Sequence, residues 1–268
     1  MKLIAMLHLC PLEEFAAWDT FQRARYEEDL ADNLRISHQA GVRHLMVENN
    51  FDRELGDSLG DRTRVFEHLL ELVCRSLDGT GTTLGVCCRW ADWRSTFRFV
   101  RQFGLAFCRL PLVGLKVTTR AGRTIEATFD EIQTGLERCG PKRPIVLCDL
   151  IPKNCHIAAM PLDLDKRVAD LKACGATGLI IGERQSGDYL GEEDYSHIAA
   201  SQQRWRLPAY VAGSVDDVRA RSLGALGVGV VVGGFIYGRA RAEPAGASLP
   251  RRMDGQKLRR IVAAVYGS

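Results

Sequence analysis

The chain has 268 residues, 46% of them apolar and 26% charged, with a net charge of +3. That length suits one α/β barrel with a full hydrophobic core, and the composition excludes a disordered chain. So small a charge excess argues against a nucleic-acid partner, which calls for a larger and clustered basic surface. Nine cysteines occur with no CxxC pair, several of them in apolar runs such as VLCDL. They read as small buried hydrophobes in a reducing cytoplasm rather than as a disulfide framework.

The opening MKLIAMLHLCPL lacks a small-residue cleavage site and reads as a first strand over residues 2–7, not as a signal peptide. A helix of mixed charge follows over 26–40, closed by Gly41, and a second strand over 43–47 ends in Glu48 and Asn49. Helix 63–77 precedes a strand over 83–87. Helix 92–102 then carries Trp93, Phe97 and Val100 at helical spacing, before a strand over 106–110. The segment KVTTRAGRTIEAT has strand–turn–strand character and predicts a small hairpin on the rim. The remaining alternation is helix 129–138, strand 144–150, helix 164–174, strand 177–181, helix 192–204, strand 209–212, helix 216–222, strand 229–232 and helix 254–266. A long polar loop is expected at about 237–253, and Arg94, Arg98 and Arg101 fall on one helix face, expected to be the solvated outer one.

Strands alternating with helices call for a parallel sheet with crossover connections, and eight such units in one domain close into a single (β/α)8 barrel, leaving no exposed edge. An open doubly wound sheet is the competitor. The glycine series GTGTTLG and GVGVVVGG both lack the GxGxxG spacing of a dinucleotide turn and lie on the wrong side of a strand for one. The apolar stretch LGALGVGVVVGGFIYG is punctuated by glycine and shorter than a membrane span requires, so no transmembrane segment is expected.

In a barrel the chemistry gathers at the carboxyl ends of the strands. Read in order, that rim holds His8, Glu48 with Asn49, Arg89, Arg109, Asp149 with Lys153, Glu183, Gly213 with Ser214, and Gly233 with Gly234. The last two turns carry small residues that let backbone N–H groups approach an anion; they equally permit sharp turns. Asp149 and Lys153 form a carboxylate–amine pair suited to acid–base work, or an ordinary rim salt bridge. Glu48 ends an apolar strand, where burial is expected to raise its pKa toward that of a general base; it equally reads as a structural carboxylate bonding the neighbouring turn. His8 reads as a ligand contact or an acid. No His-x-His or HExxH spacing supports a metal, and no motif requires a cofactor.

The motifs HLCPL, AGVRHLMVENNFD, GVCCRWAD, FCRLPLVG, DLIPKN, GLIIGERQSG, LPAYVAGSVDDV and GVVVGGFI, in that order, resemble the BtpA family. That family is named for a factor of photosystem I biogenesis and includes SgcQ-like bacterial proteins. The resemblance implies a phosphate-binding TIM barrel, cytoplasmic in most bacteria and membrane-peripheral in cyanobacteria, and carries over no reaction. By position the family pattern falls on His8, Pro11, Glu48, Asn49, Arg109, Asp149, Lys153, Ser186 and Gly187. The chain departs from the pattern at Cys87, Pro111, Asn154, Gly182 with Glu183, Ala212-Gly213-Ser214, Phe235 and Tyr237, which thins the amide and hydroxyl lining.

Two functions follow as expectations. One is an enzyme acting on a small phosphorylated or anionic metabolite, a lyase, isomerase or hydrolase. In it Glu48, Asp149 and Lys153 move protons while Arg89, Arg109 and the glycine turns hold the anion. The other is a non-catalytic assembly factor or a ligand-sensing barrel, with a partner surface on the outer helices. A homo-oligomer is compatible with either.

Overall fold

The computed structural model describes residues 1–49, 59–88, 91–119, 122–152, 155–157, 163–182, 190–213, 215–237 and 252–267. In chain order these form β1 (Leu3–His8), α1 (Leu12–Ala17), α2 (Thr20–Gln39), β2 (His44–Glu48), α3 (Thr63–Leu77), β3 (Thr83–Cys87), α4 (Trp93–Phe103) and β4 (Phe107–Leu110). There follow β5 (Leu115–Thr119), β6 (Thr124–Ala127), α5 (Phe129–Glu137), β7 (Ile145–Asp149), β8 (Cys155–Ile157), α6 (Leu164–Ala173) and β9 (Gly178–Gly182). The chain closes with α7 (Glu192–Trp205), β10 (Ala209–Gly213), α8 (Asp217–Ala225), β11 (Gly229–Val232) and α9 (Gly255–Tyr266).

Eight of these strands close a parallel barrel in the order β1-β11-β10-β9-β7-β4-β3-β2. Strand side chains alternate between faces, so each barrel strand feeds two cores. Leu3, Ala5 and Leu7 pack outward with α3 residues such as Phe66, Leu70 and Val73, in the core between sheet and helices. Ile4 and Met6 point the other way and join Met46, Cys87, Phe107, Leu147, Ile180, Tyr210 and Val231 inside the barrel. The interior is filled rather than open. A Cβ at Gly85 would overlap the Phe107 ring and one at Gly229 the Tyr210 ring, so these two glycines make room for the large rings. The same parity places His8, Glu48, Arg109 and Asp149 on the inner face, at or next to the carboxyl ends of β1, β2, β4 and β7.

Two local departures from the expected elements have simple causes. Residues 12–17 and 20–25 are helical although the sequence places the first helix at 26. Asp19 caps the second of these helices: its side chain accepts from Gln22 N at 2.7 Å, while Gln22 Oε1 accepts from Asp19 N at 3.0 Å. The turn it starts is exposed, so no apolar period marks it. The rim hairpin is present as β5 and β6, and β8 adds a third antiparallel strand to it, at residues for which the sequence predicts no strand. Of the polar loop expected at 237–253, residues 238–251 lie outside the described residues. Its flanks Tyr237 and Met253 form an antiparallel bridge. Among the described residues no helix is long and apolar enough to cross a membrane.

Candidate functional site

Four side chains from four strands make one chain of charge at the barrel mouth. His8 Nε2 stands 3.4 Å from Glu48 Oε2, Arg109 Nη1 3.6 Å from Glu48 Oε1, and Arg109 Nη2 2.8 Å from Asp149 Oδ2. Register brings the first pair together, since His8 and Glu48 are direct partners across β1 and β2. Arg109 meets Asp149 through a fork: Nε donates to Oδ1 and Nη2 to Oδ2, both at 2.8 Å. All four side chains are between 5% and 13% exposed, so solvent screens these contacts little.

The electrostatics reverse one expectation. Burial alone would raise the pKa of Glu48, as the apolar strand suggests. The hydrogen bond from His8, the positive charge of Arg109 and a hydrogen bond from the Cys87 thiol outweigh it and hold the carboxyl at about 2. Glu48 is therefore a fixed anion, not a general base near neutral pH. Burial likewise works against the charge on Arg109, but Asp149's charge and hydrogen bonds dominate and raise its pKa. The Cys87 thiol is pushed up, first by burial and then by the Glu48 charge, which makes it a poor nucleophile.

A second layer fixes the first. Tyr237 is buried between β1 and the last turn; its hydroxyl accepts from His8 N and donates to Met6 O, each at 2.9 Å. Its ring stacks on His8, with centroids 5.4 Å apart and planes 15° from parallel. Gly233 lies against the same imidazole, for a Cβ there would come within 3.1 Å of His8 Cε1. Close to Asp149, buried Arg167 of α6 donates Nη1 to Val113 O at 2.5 Å and Nε to Leu150 O at 3.4 Å. It ties the turns that follow β4 and β7, the strands carrying Arg109 and Asp149.

Of the sequence-derived candidates, His8, Glu48, Arg109, Asp149 and Gly233 are brought together. Asn49 is buried next to Glu48. Gly213 ends β10 with a φ of 137°, a conformation that favours glycine, and Gly234 begins a short 3-10 turn over Gly234–Ile236. Arg89, Lys153, Glu183 and Ser214 lie outside the described residues, as do Ser186 and Gly187. Asp149 gives both carboxylate oxygens to Arg109, while its expected pairing with Lys153 lies outside the described residues. Arg109, expected to hold an anion, is already flanked by two carboxylates. Arg167 was not legible as a site residue, since nothing local marks a helical arginine as a support for other turns; Tyr237 was legible only as a departure from the family pattern, with no sign that its hydroxyl holds the backbone of β1. Among the described residues, no group of three or more His, Cys, Asp or Glu side chains is placed to hold a metal ion.

Solved structures with this architecture are numerous. The fold is a TIM barrel. The chain is similar to thiamine phosphate pyrophosphorylase from Pyrococcus furiosus, with 13% identity and a TM-score of 0.55 over 99% of this chain and 97% of the other. It is similar to 3-hexulose-6-phosphate synthase, with 15% identity and a TM-score of 0.55 over 99% and 100% of the two chains. A 4-hydroxy-2-oxoglutarate/2-dehydro-3-deoxyphosphogluconate aldolase aligns at 16% identity with a TM-score of 0.53, over 98% and 94%. At such identities the likeness is one of fold. No protein-family model and no curated protein matches the chain.

Proposed function

We propose that the chain is an enzyme that uses acid–base chemistry at the barrel mouth on a small phosphorylated or otherwise anionic metabolite. The observation that carries this reading is the His8–Glu48–Arg109–Asp149 chain, because a barrel needs no buried ionic relay at its carboxyl end for stability. Buried ion pairs are often no better than apolar packing, so their presence at a mouth favours use. In this reading His8 moves the proton. Glu48, an acceptor only, selects the imidazole form with hydrogen on Nε2 and stabilises the imidazolium that proton uptake creates. Arg109 and Asp149 hold Glu48 in place.

With Arg109 neutralised by its carboxylates, the anion falls to the backbone N–H groups of the turns after β10 and β11, and to Lys153 and Arg89, which sequence position alone assigns. The neighbours named for phosphorylated compounds support that class of substrate, and lyase or isomerase chemistry suits a proton-moving mouth. The order of sequence motifs supports placing the chain with the BtpA family.

A thermal-shift screen with phosphorylated sugars and sugar acids tests the reading. A ligand at a hundred times its dissociation constant stabilises the fold by roughly 2.7 kcal/mol. The reading expects a hit whose turnover is lost in His8→Gln while binding persists. Full turnover in that variant, or binding unaffected by Gly213→Val and Gly234→Val together, removes it.

A further inference from the structure

A cavity of about 260 Å³ opens on the outside of the barrel between α4 and α5, lined by none of the His8 cluster. Trp93 and Phe97 form its floor. Gly135 of α5 deepens it: a Cβ there would come within 2.5 Å of Phe97 and 2.9 Å of Trp93. Its walls are arginines, with Arg94, Arg98 and Arg101 along α4 and Arg138 at the end of α5. Positions 94, 98 and 101 follow one helix ridge, about 10 Å long at 1.5 Å per residue.

The charge there is only half compensated. Arg94 pairs with Glu131 at 2.9 Å and Arg98 with Glu67 at 3.4 Å. Arg101 and Arg138 enter no ion pair among the described residues, and both are exposed. Beyond Arg138 the chain continues through exposed Lys142 and Arg143, extending the basic wall toward the amino ends of the strands.

We infer that this groove is a docking site for an acidic segment of a partner protein that inserts one bulky apolar side chain. The volume is small for a metabolite, whose pockets usually run from about 300 to 1,000 Å³, and the apolar floor suits one anchor side chain. The arrangement of an aromatic floor ringed by arginines matches the residue types that dominate protein interfaces, and the uncompensated guanidiniums call for carboxylates beside the anchor. A two-fold contact with a second copy of this chain is disfavoured, since it sets the same arginines against one another. The groove is lined by residues of the helix layer and contains none of His8, Glu48, Arg109 or Asp149, so docking and turnover are separable.

The test uses the full chain and a fluorescent peptide, Glu-Glu-Phe-Glu-Glu, followed by anisotropy at low salt, with Trp93 emission as a second readout. Binding is expected, weakening by about tenfold or more in Arg101→Glu/Arg138→Glu and again when the peptide's Phe is replaced by Ala. Both arginines are exposed, so the variant's unchanged thermal midpoint confirms that it folds. No binding to the wild type, binding that ignores the charge reversal, or binding that ignores the Phe overturns the proposal. Sedimentation showing a wild-type dimer that the reversal dissolves, or an oligonucleotide that binds in place of the peptide, overturns it in favour of self-association or nucleic acid.

Discussion

Arg109 and Asp149 stand 40 residues apart in the chain and share two parallel hydrogen bonds of 2.8 Å across adjacent strands β4 and β7. The same guanidinium reaches Glu48 at 3.6 Å, so one cation balances two carboxylates that are both nearly buried. Removing it deprives two nearly buried carboxylates of that shared cation. Arg109→Met is expected to cost about 3–5 kcal/mol of folding stability by urea denaturation. Arg109→Lys keeps the charge but not the fork, and a smaller loss is expected. A loss below 1 kcal/mol in the Met variant would mean that the pair is solvated in solution.

Glu48 makes stability depend on pH in a specific direction. Its carboxyl has a pKa of about 2 in the folded chain against an ordinary 4.5. The unfolded state therefore binds the proton first as pH falls, and the stabilisation, fully present above about 4.5, drains away between there and 2. The difference amounts to roughly 3 kcal/mol at neutral pH. Denaturation of wild type and Glu48→Gln from pH 7 to pH 2 should show their stability gap narrowing through that window. A gap independent of pH would show that Glu48 is not a depressed carboxylate.

Tyr237 offers a separate test of how His8 is held. Its hydroxyl is both acceptor for His8 N and donor to Met6 O, joining the last turn of the chain to the first strand. Tyr237→Phe keeps the ring stack but leaves a buried N–H and C=O short of a partner. The expected cost is about 1–3 kcal/mol, read from chemical denaturation. If the loss is near zero, another group satisfies both backbone atoms.

Much of this was legible in the sequence because barrel strands announce themselves twice, by alternation and by the polar residue that ends each one. His8, Glu48, Arg109 and Asp149 each follow an apolar run, and closure of the barrel turns four separate endings into one cluster. What pairs with what was not legible. Asp149 and Lys153 are near in sequence and so invite pairing, whereas the Arg109–Asp149 contact depends on which strands become neighbours. The protonation state of Glu48 also escaped, since an apolar strand predicts desolvation but says nothing of an arginine 61 positions on. Helix α1 is too short, with only Leu12 and Phe15 buried, to show a period.

Gly233 connects that geometry to turnover. Its φ is −130°, so a substitution there probes contact, not handedness. An alanine methyl would come within 3.1 Å of His8 Cε1, closer than such atoms usually approach, and Tyr237 flanks the same ring. The imidazole must tilt by a few tenths of an ångström relative to Glu48. Because the neighbouring strands still pair, Gly233→Ala is expected to lose less than about 1.5 kcal/mol of stability. A proton-transferring ring tolerates displacement poorly, so kcat on the metabolite identified by the thermal-shift screen should fall by about tenfold or more, with KM little changed. An unchanged kcat would show that the His8–Glu48 alignment does not limit the reaction. A rise in KM alone would move Gly233 from holding His8 to contacting the anion.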